Sequence, residues 1–276
     1  VGAVSTIKTA KPKFRAFEAI LCQNAWNFVP RGEYARLIRP YPWRVRSLYL
    51  ARRLTAQFNV RRAHRVVVLS DYMGELVSKF TSAEIVVAEA DLVPTMASCS
   101  AQAPSWLPVG PFAVIPGTVT WFKRPDIAIS LEQSTGQGRL LVFAGGDDGS
   151  GCHQYVEALC AEAGIRFLSR LVDHADALWL MKHADVTYVT SELESLSLSL
   201  AEALIFSQEV VASDLPAHRE IAQRLGRVPR WLTADFQFSA FDATDARQGP
   251  LDWDRMTSES EAKWTVVAHA LQGEQL

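Results

Sequence analysis

The amino-acid sequence predicts an α/β fold made of two Rossmann-like halves, each built on a parallel sheet. The first observation is that short β-branched or apolar runs alternate with longer amphipathic stretches, a pattern typical of consecutive βα units. The second is that this alternation stops at residues 91–110, which contain three prolines and one charged residue and resemble an interdomain linker. The third is that 276 residues with 49% hydrophobic content are enough to bury two cores.

Each predicted strand is a short apolar or β-branched run bounded by charged or turn-forming residues. The predicted strands are 17–22, 65–70, 83–89, 111–117, 139–146, 165–168, 185–190 and 209–213. The stretches that separate them have helical periodicity or helix-capping residues. The predicted helices are 33–58, 71–79, 124–133, 153–164, 174–183, 199–206 and 216–225.

Composition and local patterns exclude several kinds of protein. No window approaches the roughly 18 uncharged apolar residues of a membrane-spanning helix. The start of the chain has neither a basic stretch before an apolar run nor a small-residue cleavage site, so we predict a cytoplasmic protein. The four cysteines form no C-x-x-C pair, which argues against a disulfide framework and a zinc site. We therefore predict no metal ion.

The net charge of −2 hides a strongly basic segment. Residues 31–65 contain ten arginines, no lysine and one glutamate, so their formal charge is +9. Leu50, Leu54 and Phe58 recur there at helical spacing, with arginines on other sides of the same helix. Such a helix can lie on an anionic membrane surface, face a phosphorylated substrate, or be a solvated outer helix packed on its leucine stripe. Nucleic acid is not predicted as a partner, because no nucleic-acid-binding motif accompanies the charge.

Loops that follow the strands of the second half are candidate sites, because parallel sheets bind ligands beyond the carboxyl ends of their strands. Lys123 follows strand 111–117, at or near the start of the next helix, where an ammonium group can meet phosphate oxygens beside backbone N–H groups. A solvated surface lysine would have the same spacing. The turn 145–151 has two acidic residues and fits neither G-x-G-x-x-G nor the P-loop, which argues against dinucleotide and Walker-type sites.

The loop ELESLSLSLAEAL, residues 192–204, contains a serine-rich stretch between glutamates. Ser199 and Glu202 fit the S-x-x-E capping box, which predicts that Ser199 caps the helix that follows. Glu194 lies upstream of that cap. Residues 197–199 can turn their backbone N–H groups towards an anion. Because an anion site between two hydrogen-bond acceptors suits a diphosphate joined to a sugar and a ribose, the loop predicts a nucleotide sugar as the ligand.

These motifs resemble those of a known family. The run from IRFL to REIA, residues 165–222, looks like the carboxyl-terminal domain of retaining glycosyltransferases of family four, which have the two-domain GT-B fold. The family's features occur in its order: a Phe-Leu strand end at 167–168, Ala-Asp-Val at 184–186, the E-x7-E pair, and SDLPAHRE at 213–220. The similarity covers about 110–225 well and the residues before it more loosely.

The resemblance implies a hexosyl-type transferase that moves a sugar from a nucleotide-sugar donor to an acceptor with retention. It implies no metal and no cofactor, and an acceptor that is a sugar or a lipid-linked sugar. Lys123 would contact the donor diphosphate, Glu202 the ribose, and Glu194 the hydroxyls of the transferred sugar; Lys123 and Glu194 would be catalytic. The implied donor-binding residues are Gly117, Thr118, Lys123, Arg170, Leu171, Glu194, Ser197, Leu198, Ser199 and Glu202.

The resemblance also implies separate roles for different segments of the chain. Backbone groups around Arg170 and Leu171 would meet the base, and those of 197–199 the phosphates. Residues 1–108 would form a partial amino-terminal, acceptor-side domain with the linker, and 109–250 the nucleotide-sugar-binding domain. Residues 251–276 would form a terminal helix that returns to the body.

Departures from the family pattern leave other functions open. Thr118 stands where the family usually has an arginine, so one diphosphate contact is missing. The residues ahead of the linker are too few for a complete Rossmann-like half. The alternative is therefore a truncated or degenerate homologue that binds a donor or a partner without turnover. A third hypothesis is a peripheral scaffold at the inner membrane face, attached through residues 31–65.

Overall fold

The structure is a computed structural model that describes residues 17–88, 100 and 102–232. These residues fall into two compact units. The first takes 17–88 together with Leu193–Leu196, and the second takes 100, 102–192 and 197–232. The predicted α/β class with parallel sheets is confirmed. The predicted terminal helix at 251–276 and part of the predicted linker lie outside the described residues.

The first unit is built on a parallel sheet with strand order β1-β2-β3. Its strands are β1 (Phe17–Cys22), β2 (Ala63–Val68) and β3 (Glu84–Val87). Its helices are α1 (Arg31–Ile38), α2 (Trp43–Val60) and α3 (Asp71–Ser78), and a 3₁₀ turn at Ala25–Asn27 follows β1. The buried ends of β1 and β2 pack with the helices into one core, which also contains Leu193.

The basic segment forms two helices, so the prediction of a single helix over 33–58 is wrong. Pro40 and Pro42 separate α1 from α2. A proline disfavours helical geometry in the residue before it and lacks an N–H to donate, but its fixed φ suits the position just ahead of a helix. Pro42 accordingly stands at the amino-terminal cap of α2.

The most deeply buried residues of α2 are Arg53, Gln57 and Val60, whereas several of its large apolar side chains are exposed. The Arg53 guanidinium donates to the backbone oxygens of Trp26 and Val29 at 3.0 and 2.7 Å, and the Gln57 amide donates to the backbone oxygen of Asn27 at 2.7 Å. These bonds satisfy carbonyls of the 3₁₀ turn and fix the rotation of the helix about its axis. The expectation that α2 packs on its leucine stripe is therefore wrong: Leu50, Leu54 and Phe58 are 47%, 58% and 56% exposed.

The second unit is built on a six-stranded parallel sheet with strand order β6-β5-β4-β7-β8-β9. Its strands are β4 (Phe112–Pro116), β5 (Leu140–Ala144), β6 (Phe167–Arg170), β7 (Val186–Val189), β8 (Val210–Ser213) and β9 (Arg230–Leu232). Its helices are α4 (Pro125–Thr135), α5 (Cys152–Ala163), α6 (His174–His183), α7 (Leu198–Phe206) and α8 (Pro216–Leu225). The central strands β4, β5, β7 and β8 are buried along their whole length, as expected for a parallel sheet covered by helices.

A buried polar cluster supports the middle of this sheet. Arg139 forms two hydrogen bonds to the Glu132 carboxylate at 2.7 and 3.0 Å, and the Tyr188 hydroxyl donates to the same carboxylate at 2.6 Å. Burial, followed by the hydrogen bond to Glu132, raises the pKa of Tyr188 well above its ordinary value. The cluster ties the end of α4 and the start of β5 to β7, and it keeps each buried polar group paired.

All eight predicted strands are present, with bounds within two residues of those predicted. The strand β9 was not predicted, because three residues that begin with an arginine are too short to show a strand pattern. Its position comes from parallel pairing with β8, in which Ala212 lies opposite Trp231.

Candidate functional site

The strand order of the second unit changes direction between β4 and β7, which is where sheets of this kind bind ligands. From β4 the chain adds β5 and β6 on one side, and then returns to add β7, β8 and β9 on the other. The loops after β4 and β7 therefore diverge from neighbouring strands at the carboxyl edge of the sheet, which is where open α/β sheets bind ligands. Lys123 lies in the first of these loops and Ser197–Ser199 in the second.

Gly117, Lys123 and Ser199 come together at this point. A Cβ atom on Gly117 would lie 3.1 Å from Lys123 Nζ, 3.2 Å from Lys123 Cε and 4.0 Å from Ser199 Oγ. The lysine side chain thus folds back over the end of β4, where its ammonium group lies 3.5 Å from the backbone oxygen of Pro116. Gly117 has φ +92°, which only glycine adopts readily, so its backbone conformation requires glycine.

A strained turn holds Lys123 in place. Lys123 ends a 3₁₀ turn, Trp121–Lys123, and the next residue, Arg124, has φ +47° although it is not a glycine. The Thr190 hydroxyl lies 2.8 Å from the backbone oxygen of Lys123 and 3.0 Å from that of Arg124, and donates to this pair. Because left-handed backbone at a non-glycine residue persists only where its surroundings enforce it, Thr190 at the end of β7 is a positioning residue for the lysine turn.

The turn 145–151 after β5, called the glycine turn below, allows the backbone after β4 to lie close to it. A Cβ atom on Gly145 would lie 2.2 Å from the carbonyl carbon and oxygen of Gly117 and 2.6 Å from the nitrogen of Thr118. The amide of Gly117 donates to Ala144 at 3.0 Å, so pairing continues past the end of the strand. Glycine is therefore required at position 145 by packing against backbone.

The amino end of α7 differs in detail from the prediction. Its cap is Ser197, whose side chain accepts from the amide of Leu200 at 3.4 Å, and the helix begins at Leu198. The prediction that Ser199 is the cap in a capping box with Glu202 is wrong, because the buried Ser197, two residues earlier, is the cap. Ser199 lies in the first turn of the helix beside Lys123, where the helix dipole favours an anion.

Glu202 faces outwards from α7 towards α6. Its Oε1 lies 2.8 Å from Nε2 of His174, the first residue of α6. His174 is more than half exposed, whereas the Glu202 carboxylate is largely covered. The carboxylate is thus held on one oxygen, and its other oxygen can accept a hydrogen bond from a hydroxyl group.

Arg170 ends β6 and Leu171 follows it at the same edge of the sheet. The Arg170 guanidinium lies over the Trp106 ring at 5.4 Å, and the Leu171 side chain is 79% exposed. A Cβ atom on Gly146 would lie 3.7 Å from Leu171 Cδ1, so this side chain lies beside the glycine turn. Thr118, also in the predicted donor set, is exposed.

Glu194 is grouped differently from the other predicted site residues. The segment Leu193–Leu196 belongs with the first unit, where Leu193 is part of the core. The Ser195 hydroxyl donates to the backbone oxygen of Gln23 at 2.6 Å, and the Ser70 hydroxyl donates to the backbone oxygen of Ser195 at 2.6 Å. The carboxylate of Glu194 is therefore carried on a loop whose neighbours are fixed to the first unit.

Three residues that contact the candidate site residues were not predicted from the sequence: His174, Thr190 and Trp106. Thr190 ends a predicted strand and His174 starts a predicted helix, so both positions were visible as edge residues. Their partners were not, because no local spacing links Thr190 to the lysine turn or His174 to Glu202. Trp106 falls in the predicted linker, where an isolated aromatic residue has no periodic signal.

Cys152 begins α5 just after the glycine turn, but it does not fit a nucleophile. Burial, followed by nearby carboxylates of which Asp148 is the largest contributor, raises its pKa to about 12. A thiol in that state is inert at neutral pH. Among residues 17–88, 100 and 102–232, no group of three or more His, Cys, Asp or Glu side chains is arranged to hold a metal ion. The helices in this part of the chain are all too short or too polar to cross a bilayer.

Comparison with known proteins adds a family match for part of the chain. Residues 111–233 match the model of a family described as glycosyl transferases group 1. The matched region takes in the second unit's sheet and the loops of the candidate site. A search of curated proteins finds no match to this chain.

Several solved structures share the fold at low sequence identity. WaaG, a glycosyltransferase involved in lipopolysaccharide biosynthesis, is 14% identical with a TM-score of 0.56, over 91% of this chain and 68% of its own. A UDP-forming α,α-trehalose-phosphate synthase from Burkholderia vietnamiensis is 12% identical with a TM-score of 0.52, over 85% of this chain. A sucrose-phosphate synthase from Thermosynechococcus elongatus is 19% identical with a TM-score of 0.51, over 80%. The match spans 62% of the trehalose-phosphate synthase and 56% of the sucrose-phosphate synthase. The fold is that of GT-B glycosyltransferases.

Proposed function

We propose that this chain is a glycosyltransferase that takes a nucleotide sugar as its donor and transfers the sugar with retention. Two findings support the proposal: the match of residues 111–233 to a glycosyltransferase family, and the GT-B fold. A hexosyl donor and a sugar or lipid-linked acceptor follow from the resemblance to family four and belong to the same proposal. So do the cytoplasmic location and the division into 1–108, 109–250 and 251–276.

One observation carries the proposal: Lys123 Nζ and Ser199 Oγ lie 3.1 and 4.0 Å from the position that a Cβ atom on Gly117 would occupy, beside the start of α7. An ammonium group and the first amides of a helix both favour an anion, and here they face one point at the switch of the strand order. A diphosphate is an anion with enough oxygens to engage both. The proposed diphosphate site is thus made of Lys123 and the backbone N–H groups of 197–199.

The chemistry expected of this site is stabilisation of a leaving group. In glycosyl transfer the bond between the sugar's anomeric carbon and the diphosphate oxygen breaks, and negative charge grows on the departing nucleoside diphosphate. Fixed positive charge placed where the negative charge develops lowers the barrier. Lys123 and the helix dipole of α7 would supply that charge, a task that a divalent metal performs at other diphosphate sites. We therefore propose metal-independent transfer with no cofactor.

The rest of the donor would be bound by residues around the diphosphate. The Glu202 carboxylate, held on one oxygen by His174, would accept from a ribose hydroxyl. Backbone groups at Arg170 and Leu171 would meet the base, next to the Trp106 ring. The role of Glu194 towards the transferred sugar stays a prediction from the family resemblance.

Calorimetric titration with UDP, GDP and ADP tests the diphosphate site. Lys123→Met is expected to weaken the best-bound nucleotide at least tenfold, because a hydrogen bond to a charged group contributes about 1.5–3 kcal/mol. Lys123→Arg should retain more affinity than Lys123→Met, since it keeps the charge. Lys182→Met is the matched control, because Lys182 is an exposed lysine of the same unit. Unchanged affinity in Lys123→Met, or an equal loss in Lys182→Met, would contradict the proposed site.

A second candidate function is donor or partner binding without turnover, and the exposed Thr118 favours it. The family usually has an arginine there, and a threonine supplies no charge to the leaving diphosphate. Release of nucleoside diphosphate from the best-bound nucleotide sugar, with and without added sugar acceptors, separates the two functions. Thr118→Arg should then raise any turnover, whereas a chain that only binds would show tight binding with no release in either form.

A further inference from the structure

The outward side of α2 carries an exposed row of large apolar side chains. We define the apolar stripe as Trp43, Leu50, Leu54 and Phe58, which share one face of the helix because they are spaced by seven, four and four residues. Trp43 is 72% exposed, and the other three are each about half exposed. The helix has 18 residues and is therefore about 27 Å long. The stripe from Trp43 to Phe58 is about 22 Å long, and an exposed apolar group of this size indicates an interaction surface.

The orientation of the stripe is fixed by the neighbouring side of the helix. Arg53 and Gln57 are buried and hydrogen-bonded to backbone oxygens of the first unit. Arg53 also lies over the Tyr34 ring at 4.6 Å. Turning α2 to bury the stripe would break these bonds and leave buried carbonyls unpaired, which is costly. The stripe therefore faces outwards because Arg53, Gln57 and Val60 hold the neighbouring side of α2 against the first unit.

The surroundings of the stripe are positively charged. The α2 sequence contains four arginines and no acidic residue. Arg44 lies over the Trp43 ring at 5.6 Å, and Arg62 lies over the Phe58 ring at 5.3 Å, so a cation lies at each end of the stripe. Arginine in the first turn opposes the helix dipole, and so this placement does not serve the stability of the helix. Three more exposed arginines come from α1 and its end: Arg31, Arg36 and Arg39.

We propose that the apolar stripe of α2 and its flanking arginines form a docking surface for an anionic lipid bilayer. The helix would lie in the plane of the interface, with Trp43, Leu54 and Phe58 entering the acyl boundary and the arginines at the level of the headgroups. Nucleic acid fits less well, because the two leucines between the aromatic rings offer nothing to phosphates or base edges. The surface is on the first unit and involves none of the proposed donor-binding residues, so the proposal does not depend on the proposed function.

Co-sedimentation of the full chain with lipid vesicles tests the proposal. Vesicles of phosphatidylcholine with phosphatidylglycerol are compared with vesicles of phosphatidylcholine alone. The wild type is expected to bind the first and to be released by high salt. Leu54→Ser with Phe58→Ser should lower the partition coefficient about a hundredfold, since each buried apolar side chain is worth about tenfold. Arg44→Gln should lower it about fivefold, the effect of removing one charge near the membrane surface.

The matched control replaces two exposed valines of the second unit, Val109→Ser with Val228→Ser, and should bind vesicles as the wild type does. Urea unfolding should give the wild-type midpoint for every variant, because all of the substituted side chains are exposed. The proposal is overturned if the wild type binds neither vesicle, if binding is equal with and without phosphatidylglycerol, or if the Leu54→Ser, Phe58→Ser variant binds like the wild type. It is also overturned if the wild type forms a dimer that this variant abolishes and no vesicle binding occurs, since a second copy would then cover the stripe.

Discussion

The substitution Gly145→Ala tests whether the backbone at Gly117 and Thr118 is part of the ligand site. The added Cβ would lie 2.2 Å from Gly117 carbonyl atoms, whereas real Cβ atoms stay at least 3.0 Å from such neighbours. The backbone after β4 must therefore move by about 0.8 Å or more. A displacement near 1 Å at a binding or catalytic group can cost about a hundredfold in activity. We expect at least a tenfold loss of nucleotide affinity.

Gly146→Ala is the control for this prediction. Its Cβ would meet Leu171 Cδ1 at 3.7 Å, an ordinary contact distance, and Gly146 has no positive φ. We expect less than a twofold change in affinity. Both proteins are measured by calorimetric titration with the best-bound nucleoside diphosphate, and their circular dichroism is compared with that of the wild type. A folded Gly145→Ala protein with wild-type affinity would refute the reasoning, because the site would then tolerate a shift of its backbone.

Other predictions concern two buried side chains of the second unit and the histidine that contacts Glu202. Tyr188→Phe should reduce the free energy of unfolding by about 2 kcal/mol, because the buried Glu132 carboxylate loses a hydrogen bond. Urea unfolding measures this loss, with the exposed Tyr155→Phe as the control. A loss below about 0.5 kcal/mol would contradict the prediction. The Cys152 thiol has a higher pKa folded than its ordinary value of 9.0, so its contribution to stability is complete below pH 9 and is lost as the pH rises towards about 12. The slope of unfolding free energy against pH should be shallower in Cys152→Ala by about 1.4 kcal/mol per pH unit over that window, and an equal slope would argue against a buried thiol. His174→Ala should weaken nucleoside diphosphate binding about threefold by releasing the Glu202 carboxylate, while adenine or uracil alone should show no such change.

Much of the secondary structure of the second unit could be predicted, because the sequence patterns that indicate it are local. The runs at β4, β5, β7 and β8 are apolar along their whole length, and helix and strand periods alternate between them. The end of α1 and the start of α2 were missed because the helical period of leucines and arginines continues across Pro40 and Pro42. There the conformational limits of proline outweigh the periodicity.

The side of α2 that faces inwards could not be predicted from hydrophobicity. A stripe of Leu50, Leu54 and Phe58 ordinarily indicates the buried face of a helix. In this chain Arg53 and Gln57 are buried instead, because they donate hydrogen bonds to backbone oxygens 24 to 30 residues away. Hydrogen bonds between residues so far apart in sequence cannot be predicted from local spacing. The stripe could therefore be predicted from the sequence, but its exposure to solvent could not.

The same limit applies to the candidate site. Lys123 and the serines of 197–199 could be selected from their places after predicted strands, because the carboxyl ends of parallel strands share one edge of a sheet. The cap of α7 was misplaced by two residues because several serines compete for one role and only packing buries Ser197. Thr190 contacts the backbone oxygens of Lys123 and Arg124, and His174 contacts the Glu202 carboxylate; these partners are near in space but distant in sequence.

A structure of the protein with the best-bound nucleoside diphosphate tests the central claim most directly. The account predicts that the diphosphate lies at the amino end of α7, with its oxygens within hydrogen-bond distance of Lys123 Nζ and of the backbone amides of 197–199. A nucleotide bound elsewhere on the chain, or bound at this edge with Lys123 turned away from its phosphates, would contradict it.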